Sequence, residues 1–179
     1  EAQGLRLIPT GVHPSEMFWR QLKYQEFDIS EMSMSSLIIA TERGDRTWVG
    51  LPIFTTREFF HTRALVRVDA GISGPGDLKG KRVGVPEYQL TANVWARAIL
   101  QDDHGVKPSD IHGVRGGIED ADRPEKISIK LPPDVKLEDA PKGKSISALL
   151  RDGAIDGFIA PRPPSLPKDT PNVGWLFPD

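Results

Sequence analysis

The chain has 179 residues, no cysteine, 23 lysines and arginines against 25 aspartates and glutamates, and a formal charge of −2. A chain of this size buries a sizeable core as one domain or two small ones. Balanced charge argues against nucleic acid or an anionic membrane as partner, missing cysteine excludes disulfides, thiolate metal sites and cysteine nucleophiles, and no apolar run reaches the roughly 18 residues of a spanning helix.

Leu5 to Pro9 alternates as a short strand, and His13-Pro14-Ser15-Glu16 opens a helix carrying Met17, Phe18 and Leu22. Phe27 to Ser30 reads as a second strand, Met34 to Thr41 as a helix stopped by Gly44, Trp48 to Phe54 as a third strand and Ala64 to Val68 as a fourth. Ser73 to Leu78 is a turn with one helical turn, Lys81 to Val85 a strand, and a helix runs from Leu90 or Thr91 to His104 with Gly105 as its left-handed stop. A weaker strand follows at His112 to Arg115. The stretch from Gly116 to Lys144 is loop-rich, with strand-like alternation at Lys126 to Leu131. Ser145 to Leu150 is a short helix, Ile155 to Ala160 a strand, Pro161 to Pro171 a proline-rich return crossing, and Val173 to Phe177 a last strand. Repeated alternation of strand and helix argues for an α/β sheet, whose ligands bind beyond the carboxyl ends of the strands. Residues 1–75 are assigned to a first lobe, 76–162 to a second, and 163–179 to a return into the first.

Five strand-end segments carry candidate chemistry. Ser30 to Ser36 sets four serines at a helix start, where ordinary capping needs one, so Ser33 and Ser35 are candidate anion contacts. Pro86 to Ala92 offers Tyr88, Gln89 and Thr91 at the start of the long helix, without the glycine pattern of a dinucleotide site. Thr55 to Arg63 holds Arg57, His61 and two phenylalanines. Its arginine fork suits a planar carboxylate, and His61 is the natural acid or base near neutral pH. Arg115, before a glycine pair, and Arg162, among prolines, are further carboxylate ligands. The four histidines lack zinc spacing and no Gly-x-Ser-x-Gly elbow occurs, so neither a metal site nor serine hydrolysis is indicated.

Glu26 to Ser33, Gly71 to Tyr88 with its Asp77-Leu78-Lys79-Gly80-Lys81 run, Val94-Trp95-Ala96-Arg97-Ala98-Ile99-Leu100-Gln101 and Pro161-Arg162-Pro163-Pro164 together resemble the 4,5-dihydroxyphthalate decarboxylase-like family. The resemblance covers nearly the whole chain. It implies an α/β fold of the type II periplasmic-binding-protein kind, two βαβ lobes with an interlobe cleft. By comparison with that family, the opening strand of the first lobe and everything after Asp179 are expected to be missing, in keeping with a start at Glu1 rather than Met.

The implied activity is decarboxylation of a small aromatic carboxylic acid in the cleft, met by Ser33, Ser35, Arg57, Tyr88, Gln89, Thr91, Arg115 and Arg162, with His61 protonating the ring carbon that loses carbon dioxide. No cofactor is required by that chemistry. The partner is then a small carboxylated aromatic molecule, with no nucleic acid and no membrane insertion, and the location cytoplasmic. The alternative is a transporter's solute-binding protein for a small organic anion, without catalysis and periplasmic. An unfinished sheet would be completed by a second copy, which makes a homo-oligomer a further candidate.

Overall fold

The computed structural model describes residues 2–121, 124–166, 170 and 172–178. The chain divides into two compact units, Glu1–Thr55 and Thr56–Asp179.

The first unit is built on two helices, α1 (Pro14–Tyr24) and α2 (Met34–Glu42). His13 caps α1, its Nδ1 accepting from the Ser15 N–H at 3.3 Å, and Pro14 sets the first helical φ. The strands expected at Leu5 to Pro9, Phe27 to Ser30 and Trp48 to Phe54 are not formed. None has a backbone ladder among the described residues: Asp28, Ile29 and Pro52 are bends and the Ile53 N–H turns back onto the Leu51 carbonyl at 2.7 Å, and alternation becomes a strand only where a second backbone supplies the hydrogen bonds. At Phe27 a side chain takes that part. The buried Gln21 amide donates to the Phe27 carbonyl and accepts from its N–H, both at 2.9 Å. In the Trp48 segment the alternation survives without a partner: Val49, Leu51 and Ile53 are all exposed, Val49 at 85%.

The second unit is a mixed sheet with strands β1 (Leu65–Arg67), β2 (Arg82–Val85), β3 (His112–Arg115), β4 (Lys136–Asp139), β5 (Gly157–Phe158) and β6 (Val173–Trp175). Their order is β4-β3-β2-β5-β1-β6. Neighbours among β4, β3, β2 and β5 run parallel, while β1 lies antiparallel to both β5 and β6. Helix α3 (Thr91–His104) crosses from β2 to β3 and ends at Gly105 in the left-handed region, φ 64°. Helix α4 (Ile146–Arg151) begins at Ser145, whose Oγ accepts from the Ala148 N–H at 3.2 Å. The expected strand at Lys126 to Leu131 is absent, and the fourth parallel strand is instead Lys136–Asp139. Its Lys-Leu-Glu-Asp run carries one apolar residue because it lies at the sheet's edge and buries little, so periodicity does not mark it. Of the expected return crossing, Pro167–Asp169 and Pro171 lie outside the described residues.

Two apolar clusters cover the two faces of the sheet. Val83 and Val85 of β2 join Leu78, Ala96, Leu100 and Val106 on one face, and Val114 and Phe158 join Ile146, Leu149, Leu150 and Ile155 on the other. The odd position, Gly84, faces the second cluster, where an added Cβ would stand 2.6 Å from Ile146 Cγ2 and 2.7 Å from Ile155 Cδ1. Overpacking of this kind costs about 1–3 kcal/mol. Gly84→Ala is therefore expected to lower the unfolding free energy by that amount in urea titration, whereas Gly74→Ala, with nothing within 4 Å and an extended φ of −168°, should stay within about 0.5 kcal/mol of the parent.

Candidate functional site at the carboxyl edge of the sheet

In the second unit the topology brings separate segments to one edge. The parallel strands β2, β3 and β5 end there, and so does the lead-in to β1, because the antiparallel register sets Leu65 against Phe158. The Arg63 guanidinium links these segments directly, donating to the Pro161 carbonyl from the loop after β5.

At the end of β2, Pro86-Glu87-Tyr88-Gln89-Leu90 leads into α3, where Leu90 is the cap residue and supplies no side-chain acceptor. The organising group is the Glu87 carboxylate, 0% exposed. It accepts from the Gln89 amide at 2.9 Å, the Lys126 ammonium at 2.9 Å and the Lys126 backbone N–H at 3.3 Å. Lys126 itself keeps 8% of its side chain exposed. Asn93, in the first turn of α3, donates to the Glu87 carbonyl at 2.8 Å. A buried carboxylate is tolerated only when paired and hydrogen-bonded, so this charge sets the path of the loop that carries Lys126.

A second acidic residue continues the network. Glu125 accepts from the Tyr88 N–H at 3.3 Å and pairs with Arg115 at 2.9 Å, and Arg115 also donates to Asp139 at 2.7 Å. Burial works against the Arg115 charge, but Asp139 and Glu125 outweigh it and raise its proton affinity. The Arg115 fork is thus occupied by two carboxylates of its own chain. Arg97, one helical turn beyond Asn93, lies over the Tyr88 ring at 3.8 Å and donates to the Tyr88 carbonyl at 2.8 Å. Burial lowers the Arg97 proton affinity and raises that of the Tyr88 phenol, each partly countered by the other. Tyr88 and Gln89 are buried, and Thr91 is half-buried as the first residue of α3.

The remaining expected residues stand apart from this network. Arg162 is exposed and lines a groove of about 250 Å³ together with Glu119, Asp120 and the Gly117–Ile118 segment. His61, half-buried, meets Phe177 edge-on at 5.1 Å, and Phe177 also meets His104, the last residue of α3, at 5.7 Å. The eleven residue steps from Asn93 to His104 span roughly 16 Å of helix, so the aromatic contacts of His61 lead toward the other end of α3 from Gln89. Arg57 is exposed. Ser33 and Ser35 belong to the first unit, where Ser33 starts α2 and their hydroxyls lie 3.1 Å apart.

Sequence reasoning passed over Glu87 and Lys126 as a pair, Asn93, Arg97 and Glu125. Asn93 and Arg97 were legible as a polar stripe on α3. The pairing of Glu87 with Lys126 spans 39 positions and has no local signal. Among the described residues no cluster of three or more His, Asp or Glu side chains could hold a metal ion, and no helix is long and apolar enough to cross a membrane.

Removing one member of a buried pair leaves an uncompensated charge, which costs about 3–5 kcal/mol. Lys126→Met is expected to lower stability by that order in urea titration, and the double change Glu87→Gln with Lys126→Met to recover most of it.

A family profile described as NMT1/THI5 like matches residues 33–124. The chain is 52% identical over 167 residues to a protein of Comamonas testosteroni named 4,5-dihydroxyphthalate decarboxylase, an alignment that covers 93% of this chain and 51% of that protein. It is 47% identical over 167 residues to a protein of the same name from Pseudomonas putida, covering 93% of this chain and 65% of the other. The chain thus spans between about half and just under two thirds of the length of these curated relatives. With a profile match over half of its residues and a mixed α/β sheet of six strands, the chain belongs to the NMT1/THI5-like family, whose fold is that of periplasmic binding proteins.

Proposed function

We propose that this chain forms part of a carboxy-lyase that removes carbon dioxide from a small aromatic acid of the 4,5-dihydroxyphthalate type. The observation that carries the reading is the identity of 52% and 47%, sustained across 93% of the chain, to proteins bearing that name. Both units contribute to that alignment, so the likeness is not confined to one motif.

The chemistry is redox-neutral and needs an anion anchor and a proton donor. In this substrate each carboxylate is para to a ring hydroxyl. A proton added to the carboxylate-bearing carbon, with loss of the hydroxyl proton, gives a ketone tautomer. The carbon–carboxyl bond then breaks, carbon dioxide leaves, and the electron pair of that bond restores the aromatic ring. Arg57 and Arg162 are the proposed carboxylate anchors and His61 the proposed donor. Tyr88, Gln89 and Thr91 line the turn where backbone N–H groups of α3 point outward. Arg115, held by Glu125 and Asp139, serves in this scheme mainly to fix the loop beneath Tyr88 and would reach substrate only by exchanging one of those carboxylates. Ser33 and Ser35 are proposed as anion contacts of the first unit. The enzymatic reading goes with a cytoplasmic location.

Incubation of the full-length protein with 4,5-dihydroxyphthalate is expected to release one equivalent of carbon dioxide and leave 3,4-dihydroxybenzoate. Binding without release would instead favour a solute-binding protein. His61→Gln should lower kcat by about 10²–10⁴ with little change in KM, the usual contribution of a positioned acid. Unchanged turnover in that variant would remove His61 from the donor role.

A further inference from the structure

Three buried side-chain atoms have no hydrogen-bond partner among the described residues: Gln89 Oε1, Asn93 Oδ1 and Arg97 Nη1. They come from one stretch: Gln89 in the turn before α3, Asn93 in its first turn and Arg97 four residues further, where residues four apart on a helix are neighbours. Gln89 is 3% exposed and Asn93 0%. A buried polar atom without a partner is destabilising, so three in one stretch of a native structure need a cause.

The identity of the orphans is set by their neighbours. The Gln89 amide nitrogen donates to the Glu87 carboxylate, and the Asn93 amide nitrogen donates to the Glu87 carbonyl. Turning either amide over would set oxygen against oxygen. The orphaned atoms of both carboxamides are therefore acceptors, while Arg97, whose other terminal nitrogen donates to the Tyr88 carbonyl, offers a cationic donor. The complementary ligand presents hydroxyl donors to two acceptors and an anionic oxygen to a guanidinium. A fully ionised anion such as phosphate or phthalate can satisfy Arg97 but meets two carbonyl oxygens with oxygens of its own.

We infer that Gln89, Asn93 and Arg97 form the element that recognises a hydroxylated aromatic acid, with the two carboxamides accepting from ring hydroxyls and Arg97 taking a carboxylate. This rests on the decarboxylase reading under Proposed function and assigns recognition of the substrate's hydroxyls to the start of α3. A pocket built to hydrogen-bond a hydroxyl rejects the analogue lacking it far more strongly than an apolar pocket rejects a change of size, because its own polar groups are then left unpaired.

The test is calorimetric titration of the full-length protein with 4,5-dihydroxyphthalate, phthalate and catechol, on the parent and on Gln89→Met and Arg97→Lys, with folding checked by thermal midpoint. The parent should bind 4,5-dihydroxyphthalate at least tenfold more tightly than phthalate. Gln89→Met should abolish most of that preference while leaving phthalate affinity unchanged. Arg97→Lys should weaken both dicarboxylates about tenfold or more and leave catechol unaffected. Because Gln89 lies outside any helix or strand and Arg97→Lys keeps the charge, one arm decides if the other variant does not fold. Folded variants that retain the parent's preferences overturn the assignment alone. Tight parental binding without carbon dioxide release overturns the decarboxylase reading alone, and no binding by the parent overturns both.

Discussion

The carboxylate of Glu87 is the constraint on which much of the second unit depends. It sits fully buried at the carboxyl end of β2, where strand gives way to helix, and a charge in that position must be neutralised and hydrogen-bonded. Lys126 supplies the charge, with its backbone N–H and the Gln89 amide completing the shell. The Lys126 segment comes from the loop-rich stretch between β3 and β4, whose Ile129, Leu131 and Val135 also pack against the core. Glu125 beside it reaches the Tyr88 N–H and Arg115, so one pair of adjacent residues ties β2, β3 and, through Asp139, β4 at a single edge.

The sheet order explains why chemistry collects at that edge. Parallel strands deliver every strand-to-helix turn to the same side, and the antiparallel β1 brings its own lead-in, with Arg63, to that side as well. Residues far apart in the chain thereby become neighbours without a shared motif, as the Arg63 contact with the Pro161 carbonyl demonstrates across 98 positions. Close packing between strand and helix is what Gly84 permits, since Ile146 and Ile155 occupy the space a side chain would fill.

Periodicity served the two units unequally. In the second unit Leu65–Arg67, Arg82–Val85, His112–Arg115 and Val173–Trp175 all appear where alternation and turn residues placed strands, and α3 ends at the glycine read as its stop. In the first unit the same alternation at Leu5 to Pro9 and Trp48 to Phe54 yields irregular chain without a ladder among the described residues. The pattern reports which side chains favour a pleated, half-buried surface, and a strand needs a backbone partner as well. Gln21 makes the point at small scale, its side chain standing in for a neighbouring strand at Phe27.

By itself the sequence determined the α/β class, the helix boundaries set by His13, Pro14, Gly105 and Ser145, and the family, because capping, periodicity and motif are local properties. The tertiary structure decided which charges are spent and which polar atoms are left over. Arg115 looked available and is held by Glu125 and Asp139, whereas Asn93 and Arg97, polar residues of α3, carry orphaned atoms in a buried setting. The capture of Arg115 depends on partners 10 and 24 positions away, and the orphaned atoms on the low dielectric around them, and neither is written in any local pattern.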